Sequence, residues 1–533
     1  MAFRRVSSFL LFLSLLSFGF SLPIHAASEE PEAEVTIWCS HRINDASQLQ
    51  SFLGAGGGLY YHSSDYNDTL VQAWRRLGFK HITFETLHSE DPVDRWITVT
   101  RDKDGMIAVD FTEYDKYMES YLHHLEAVPF VYLGGVPRLL SSKPEDENYS
   151  AYMPKDLEEW SRFVSIIVRH NIEKWGLRGI DYGPPGEPDH LDSWRGRGGT
   201  DRKEILRDHI ELYAATYRAV KAADPKARIG GPSSMSWQIT EYTDNDQTGF
   251  VLADWIKELA YYNSQYVSQS VGLDYISWQD YGWAGENLSE GAHAVSQMLS
   301  ANGFDPNTPK FLAGSGWGSW GSNYLNTELT PYQRASFVLH NLLREFKDPE
   351  KKSFEKALYF TFFYKDEWRL PQNPTDDPYT PEVSLVRVSS DGKLSYSPTY
   401  AAFEMVNHMA VGDILQTVAS GDIEAMASRN DKDQSLTVTV NNHTANEIHT
   451  QISLKEMPFP AQRVRAGVRR IDALNSSDGA GLQEPKWEEI ESEGDSLKKI
   501  LILGPFTSAQ LIFYPIPDPV LPAPAEPAAV NPA

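Results

Sequence analysis

A chain of 533 residues is too long for one ordinary hydrophobic core, so its length predicts two or three domains. The net charge of −25 at pH 7 argues against nucleic-acid binding, because such a surface repels phosphates, and it disfavours a polyanionic substrate. The single cysteine, Cys39, excludes an intramolecular disulfide and a metal site made of several cysteines.

The first 26 residues have the features of a secretory signal peptide. Arg4 and Arg5 form a basic start, residues 9–20 form an apolar stretch too short to span a bilayer comfortably, and Ala26 and Ala27 offer a cleavage site. No later segment has the length and apolar character of a transmembrane helix. We therefore expect a secreted or periplasmic protein, with residues 1–26 removed.

Between about residues 59 and 410, short apolar runs alternate with amphipathic stretches of helical periodicity, which is typical of an α/β protein with a parallel sheet. Seven or eight such units over about 350 residues match a (β/α)8 TIM barrel, which we assign to residues 27–410. A doubly wound open sheet is the alternative. The predicted strands are residues 81–86, 129–134, 179–183, 227–231, 273–278, 310–313 and 357–363, with a glycine-rich eighth near 53–61.

After residue 410 the helical periodicity fades and alternating strand patterns take over, such as residues 435–441 and 499–503. Asn, Asp and Gly turns separate these runs, so residues 411–515 are predicted to form a small antiparallel β-sandwich. Residues 516–533 are rich in proline and alanine, which predicts an extended or disordered tail.

The reacting groups of a barrel enzyme lie at the carboxyl ends of its strands. Glu187 follows a predicted strand between Gly186 and Pro188, which would hold a carboxyl group at the mouth of the barrel on a stiff backbone. It is therefore the candidate catalytic acid, although an exposed loop glutamate fits the position equally well. Glycoside hydrolysis needs a second, ionised carboxylate, and Glu85 at the end of another strand is a candidate for it.

Other polar and aromatic residues at predicted strand ends and loops are candidates for substrate binding, since aromatic rings stack on the apolar faces of sugars. They are Asp181, Gln279, Tyr281, Trp317, His62, Asp366 and Glu367. The sequence contains no phosphate-binding loop and no metal cluster, so we expect neither a cofactor nor a metal centre.

Several segments, taken in order and with their spacing, resemble the family 39 glycoside hydrolases, which are retaining clan A barrels that include β-xylosidases and α-iduronidases. The resemblance covers about residues 60–410. Its segments are LGFKHITF (77–84), YDKY (114–117), PFVYLGGVP (129–137), PKDLEEW (154–160), GEPD (186–189), RIGGP (228–232) and DYISWQDYG (274–282).

The resemblance implies a (β/α)8 barrel with an accessory β-domain, and it implies that Glu187 matches the family's general acid/base. Four positions depart from the family pattern. Gly186 replaces the asparagine before the acid, and Gly314 stands where the nucleophilic glutamate is expected, beside Ser315. Glu85 and Gln279 occupy positions where the family has histidine, whereas Tyr281 matches the family residue.

These departures leave three alternatives open. In the first, the second carboxylate has moved to another position: Glu85 is the leading substitute, Asp280 is less favoured, and Asp366 and Glu367 are further candidates. In the second, the barrel binds sugar without cleaving it. In the third, Glu85 binds sugar hydroxyl groups and the reaction is unusual. The function predicted from the sequence is a secreted glycoside hydrolase acting on a polysaccharide or its oligosaccharides. A non-catalytic carbohydrate-binding barrel is the alternative, and a structural envelope protein has little support.

Overall fold

A computed structural model of the protein describes residues 31–56, 67–85, 96–184, 187–191, 193–234, 237, 251–280, 288–317, 329–347, 353–365, 384–457, 463–474 and 481–516. At residues 85, 314–316 and 347 it describes the backbone only. The predicted signal peptide and all but the first residue of the predicted tail lie outside the described residues.

The part of the chain before residue 411 alternates strands with helices. Its strands are β1 (Ala33–Asp45), β2 (Leu53–Ala55), β3 (His81–Glu85), β4 (Thr98–Arg101), β5 (Ile107–Asp110), β6 (Val128–Tyr132), β7 (Asp181–Gly183), β8 (Arg228–Ile229), β9 (Gly231–Ser234), β10 (Ile276–Asp280), β11 (Lys310–Trp317), β12 (Lys356–Tyr359), β13 (Phe363–Lys365), β14 (Val386–Val388) and β15 (Leu394–Tyr396). Its helices are α1 (Gln48–Phe52), α2 (Asp68–Leu77), α3 (Thr112–Glu119), α4 (Leu157–Trp175), α5 (Arg202–Ala223), α6 (Leu252–Gln265), α7 (Leu288–Ala301), α8 (Pro331–Lys347) and α9 (Pro398–Met409).

A parallel sheet runs in the order β8-β7-β6-β3-β2-β12-β11-β10-β9, and its neighbours all pair in parallel. Its two ends, β8 and β9, are consecutive segments of one strand interrupted at Gly230, so the sheet closes on itself. A side chain at Gly230 would collide with the Tyr275 carbonyl oxygen at 1.9 Å, which explains the glycine. The closure confirms the predicted (β/α)8 barrel and excludes the open, doubly wound alternative.

Helix α4 shows how the sequence specifies the outer layer. The Asp156 carboxylate accepts from the Glu158 backbone N–H at 2.7 Å and caps the first turn, and Gly176 ends the helix at φ +68°. The apolar face between these caps repeats at helical spacing and is buried against the barrel. Its buried residues are Trp160, Phe163, Val164, Ile167 and Val168.

The interior of the barrel is filled by inward-facing side chains in the manner of a packed core. Phe130, Tyr132, Tyr275, Phe311, Ala313 and Leu358 form a cluster separate from the larger core under the helices. The rings of Tyr275 and Phe311 stack with their centroids 4.3 Å apart. Because this cluster blocks the central axis, a substrate can approach only from the rim.

The second sheet has the order β21-β20-β23-β18-β17-β16-β1-β19-β22, and we call it the β-domain sheet. Its strands after residue 411 are β16 (Asp413–Ala419), β17 (Ile423–Asn430), β18 (Ser435–Asn442), β19 (Ile448–Lys455), β20 (Arg463–Ile471), β21 (Lys486–Glu491), β22 (Leu497–Leu503) and β23 (Ser508–Pro515). All strand pairs of this sheet that do not involve β1 are antiparallel, as predicted. Buried side chains of the sheet form a hydrophobic core separate from that of the barrel.

The N-terminal strand β1 belongs to this β-domain sheet and not to the barrel. It pairs antiparallel with β16 and parallel with β19, and its alternate residues Ala33, Val35, Ile37 and Cys39 are buried. The sequence-based boundary, which placed residues 27–410 in the barrel, is therefore wrong for β1. The partner strands lie some 370 residues or more along the chain, so no local pattern reveals the pairing.

Helices α8 and α9 join the barrel to the β-domain sheet through buried hydrogen bonds. The Ser336 hydroxyl donates to Asn441 Oδ1 at 2.9 Å, and the Gln510 amide donates to the Met405 carbonyl at 2.7 Å. None of the helices in the described part of the chain combines the length and apolar character that crossing a membrane requires.

Candidate active site

Glu187 lies in the loop that follows β7, at the carboxyl end of the barrel, and is partly exposed. Its backbone has φ +50°, a left-handed conformation that is strained by about 1 kcal/mol or more in a residue with a side chain. Two backbone hydrogen bonds hold it there: the Glu187 N–H donates to the Ser233 carbonyl at 3.2 Å, and its own carbonyl accepts from the His190 N–H at 3.0 Å. The loop thus fixes the position from which the carboxyl group projects.

Gln279, near the end of β10, contacts the Glu187 carboxyl directly. Its Nε2 donates to Glu187 Oε1 at 2.6 Å, and the Gln279 side chain is buried. The sequence predicted Gln279 as a sugar-binding residue. Its described contact is with the candidate acid, 92 residues away in the chain.

Three buried hydroxyl groups link β6, β9 and β10 across the barrel interior. Tyr132 Oη contacts Ser233 Oγ, and Ser233 Oγ lies 2.9 Å from Ser277 Oγ. Since the Ser233 carbonyl also receives the Glu187 N–H, these hydroxyl groups connect the loop of the acid to the strand that carries Gln279. The sequence analysis missed all three; a polar side chain on the barrel face of an apolar strand is the signal that identifies such residues.

Glu85 is the last residue of β3, and its backbone is in register with Tyr132. Its backbone therefore lies at the carboxyl end of the barrel, one strand from the hydroxyl cluster. The Glu85 side chain lies outside the described part of the structure. So do the whole of His62, Tyr281, Asp366 and Glu367, the other predicted site residues of the neighbouring loops.

Strand β11 is irregular around Gly314, the position where the family resemblance leads one to expect a nucleophilic glutamate. From Leu312 to Trp317, β11 advances by five positions, while its neighbours β10 and β12 each advance by two. Gly314 and Ser315 lie within this bulge. Bulges next to active sites redirect the residues they contain, so the backbone here differs from a regular strand end.

Comparisons with known proteins agree with this architecture. The sequence profile described as "Glycosyl hydrolases family 39" matches residues 43–304. A β-xylosidase of Geobacillus stearothermophilus is 28% identical over 207 residues, which are 37% of this chain and 39% of that relative. The matched region, residues 43–304, belongs to glycoside hydrolase family 39.

Two solved structures show that the likeness in fold extends through the β-domain. The GH39 enzyme from Xanthomonas axonopodis pv. citri aligns with a TM-score of 0.67 at 16% identity, over 93% of this chain and 100% of the other. A monomeric β-xylosidase from Caulobacter crescentus aligns with a TM-score of 0.66 at 17% identity, over 91% and 100%. The sequence match to the curated β-xylosidase, in contrast, spans about two fifths of its length.

Asp181 lies at the opposite end of the barrel from Glu187. It begins β7, and its carboxylate accepts from Arg228 Nε at 2.7 Å and contacts Lys356 Nζ, at the starts of β8 and β12. Asp181 is 3% exposed, so it is a buried structural residue. We call this end of the barrel, where the strands begin, the floor, and the opposite end the rim. The prediction that Asp181 binds substrate is not supported by this position.

Trp317 is fully buried at the end of β11 and offers no face to a sugar. Its ring packs edge-on against Tyr359 at 5.6 Å and against Phe403 of α9 at 6.1 Å. The structure therefore makes it part of the core between the barrel and its helices, contrary to the predicted stacking role. Asp280 is in register with Trp317 and is also buried, which agrees with its lower rank as a second carboxylate.

Proposed function

We propose that this chain is a secreted glycoside hydrolase that cleaves glycosidic bonds in a polysaccharide or its oligosaccharides, with Glu187 as the general acid. The observation that carries the proposal is the placement of Glu187: a partly exposed carboxyl at the rim of a closed barrel, on a strained backbone and bonded to a buried amide. Strain of this kind clusters at functional sites.

The reaction requires a proton for the leaving oxygen and a second group to assist attack at the anomeric carbon. Glu187 supplies the proton to the glycosidic oxygen as the bond to the anomeric carbon breaks. Position 314 carries no carboxylate, so a glycosyl ester cannot form there. We therefore assign the second role to Glu85, which accepts a proton from the attacking water, and this single displacement inverts the anomeric configuration.

The relatives suggest the first substrates to assay. Because the curated relative is a β-xylosidase, xylo-oligosaccharides and aryl β-xylosides form the first arm of a panel, followed by other plant and algal glycans. Product anomers followed by NMR during the first minutes of reaction separate inversion from retention. An α-anomer from a β-xyloside is the expected product, and a β-anomer would contradict the role given to Glu85.

The decisive variants are Glu187→Gln and Glu85→Gln, each expected to lower kcat/KM by roughly a thousandfold, since a positioned general acid or base contributes about 10²–10⁴-fold. Glu126→Gln is the matched control, because Glu126 is also a glutamate at positive φ (+53°) and pairs only with Arg75 in the described surface contacts. Full activity of Glu187→Gln would refute the proposal.

A non-catalytic sugar-binding barrel is the second candidate, and Gly314 at the nucleophile position favours it. In that case the panel yields no product, while glycans raise the melting temperature of the wild-type protein. Export is tested separately: sequencing the N-terminus of the exported chain should show that residues 1–26 have been removed.

A further inference from the structure

The carboxyl-terminal end of α6 carries an exposed group of tyrosines. Tyr261 is 53% exposed and Tyr266 is 52% exposed, and no other tyrosine in the described part of the chain is as accessible. Val267, which follows them, is 75% exposed. We call Tyr261, Tyr262, Tyr266 and Val267 the tyrosine surface. Because burial of large apolar groups is favourable, several of them exposed in one place indicate a surface that a ligand or partner covers.

The segment that forms this surface is uncharged. Between Glu258 and Asp274 the sequence has no acidic residue, no basic residue and no histidine, and it is rich in Asn, Gln, Ser and Tyr. Residues 264–270 are all exposed. An ionic ligand would find no compensating charge on this segment, whereas amide and hydroxyl groups both donate and accept hydrogen bonds. The composition therefore favours a neutral ligand with many hydroxyl groups.

Hydrogen bonds hold the tyrosine surface in place. Asn263 bonds twice to the Val271 backbone: its Nδ2 donates to the carbonyl and its Oδ1 accepts from the N–H, each at 2.9 Å. Arg218 of α5 donates through Nη1 to the Gln269 carbonyl at 3.1 Å and to the Tyr262 hydroxyl at 3.4 Å. A preformed surface loses less conformational entropy when a ligand binds, which favours binding.

Tyr262 and Tyr266 lie one helical turn apart, and their rings are neighbours. The ring centroids are 4.9 Å apart and the ring planes are tilted by 40°. The apolar face of a sugar stacks on such rings, and this separation is comparable with the length of one sugar unit. The tilt suits a chain whose successive units turn relative to each other, in contrast to the flat face of a crystalline polymer.

We propose that the tyrosine surface is an auxiliary binding site for a neutral, soluble polysaccharide chain. The helices of a barrel run antiparallel to its strands, so the carboxyl-terminal end of α6 lies at the floor, and the segment after it leads into the start of β10. The surface is therefore remote from Glu187 at the rim, and its role is to retain a polymeric substrate. That role deepens the proposed function and rests on it, whereas the binding itself does not.

Native electrophoresis in gels that contain arabinoxylan or mixed-linkage β-glucan measures this binding. At least one of these neutral polymers should retard the wild-type protein, and the anionic polymer polygalacturonate should not. The double variant Tyr261→Ala/Tyr266→Ala removes both exposed rings and should bind the neutral polymer roughly tenfold more weakly, because the stacking faces are lost. Its melting temperature should match that of the wild type, since both side chains are exposed.

Trp487→Ala is the matched control. Trp487 is an aromatic residue of the β-domain sheet that is 38% exposed, but the Arg465 guanidinium already lies over its ring, 4.4 Å from the centroid. Its loss should leave the retardation unchanged. Equal retardation of the wild type and the folded tyrosine double variant would overturn the inference. So would a wild-type protein that no neutral polymer retards, or one whose tyrosine surface is needed for binding polygalacturonate.

A second copy of the chain is the competing occupant of this surface. Size-exclusion chromatography over a range of concentrations tests it: a wild-type dimer that the tyrosine double variant loses would overturn the inference. In active protein, the ratio of the rate on the polymer to the rate on an aryl β-xyloside should fall several-fold in the double variant. Electrophoresis needs no turnover, so an inactive protein that is still retarded separates failure of the proposed function from failure of this inference.

Discussion

The two ends of the barrel use carboxylates in different ways. At the floor, Asp181 lies on a regular strand between two cations, Arg228 and Lys356, and is almost completely buried. At the rim, Glu187 lies on a loop with a strained backbone, is partly exposed and accepts from a neutral amide. A buried carboxylate paired with two cations contributes to the integrity of the fold, whereas the partly exposed carboxyl beside a neutral amide is the one proposed to act as an acid.

This contrast follows the general division of labour between the two ends of a (β/α)8 barrel. The strands begin in a packed, charge-paired floor, where a change affects stability, and they end in loops, where a change affects chemistry. The predictions below separate the two ends by measuring stability and activity on the same variants, in order of decreasing effect.

The largest effect on stability is expected at the floor. Asp181→Asn leaves Lys356 and Arg228 without their buried carboxylate, and breaking a buried pair in this way costs about 3–5 kcal/mol. Urea unfolding of the variant measures the change. Glu187→Gln, by comparison, should alter the free energy of unfolding by less than about 1 kcal/mol. Equal losses for the two variants would remove the distinction between floor and rim.

The floor also predicts a pH dependence. Burial, together with nearby Lys356, lowers the pKa of His81 to about 4 from an ordinary value near 6.5, and its Nε2–H donates to the Ser51 carbonyl. The unfolded chain therefore binds a proton that the folded chain does not between pH 6.5 and 4. Stability from this group is complete above pH 6.5 and falls as the pH drops through that window, by at most about 3 kcal/mol.

His81→Gln tests this dependence, because glutamine has no proton to gain. The variant should flatten the decline in unfolding free energy between pH 6.5 and 4 relative to the wild type. His443 makes a similar contribution at the β-domain sheet, where burial and His340 lower its pKa to about 4, so part of the decline should remain. An unchanged slope in His81→Gln would show that the pKa of His81 does not differ between the folded and the unfolded protein.

A smaller effect is expected where the β-domain sheet meets the barrel. Gln510→Met removes the donor to the Met405 carbonyl and Thr439 Oγ1 and also the acceptor of the buried Arg469 guanidinium, which together costs about 3 kcal/mol. Because the site is remote from the rim, kcat/KM should stay within twofold. A loss of activity at temperatures where the protein is folded would show that the β-domain sheet influences the rim.

The smallest effect is expected at the surface. Glu126 pairs with Arg75 at 3.1 Å, and both side chains are well exposed, so Glu126→Gln should change the unfolding free energy by at most about 1 kcal/mol. Raising the salt concentration should reduce even this difference. A large change would mean that the pair with Arg75 contributes far more than an exposed ion pair.

Much of the architecture could be predicted from local sequence. The alternation of strands and helices predicted the parallel barrel, and the caps and apolar spacing of α4 are signals of the same local kind, because both depend on residues close together in the chain. The turn of Gly186, Glu187 and Pro188 after an apolar strand made Glu187 a candidate acid, and the family resemblance favoured that interpretation over an exposed loop glutamate.

The failures have a common cause. The pairing of β1 with β16 and β19, the ion pair of Asp181 with Lys356 and the burial of Trp317 under Phe403 all join segments that are distant in sequence. The pattern of a strand shows which of its residues lie on the same face. It does not show which distant segment packs against that face, or whether a polar residue at the start of the strand forms an ion pair.

The sequence alone therefore determined the kind of fold and the resemblance to family 39, and it indicated Glu187 as a candidate acid, since each follows from local pattern or motif. Only the tertiary structure decided that Gln279 bonds to Glu187, that Asp181 belongs to the floor and that β1 completes the second sheet. The physical reason is that hydrogen bonds and ion pairs form only between groups a few ångströms apart. Those separations are set by how the chain folds in three dimensions, and the distance along the sequence does not reveal them.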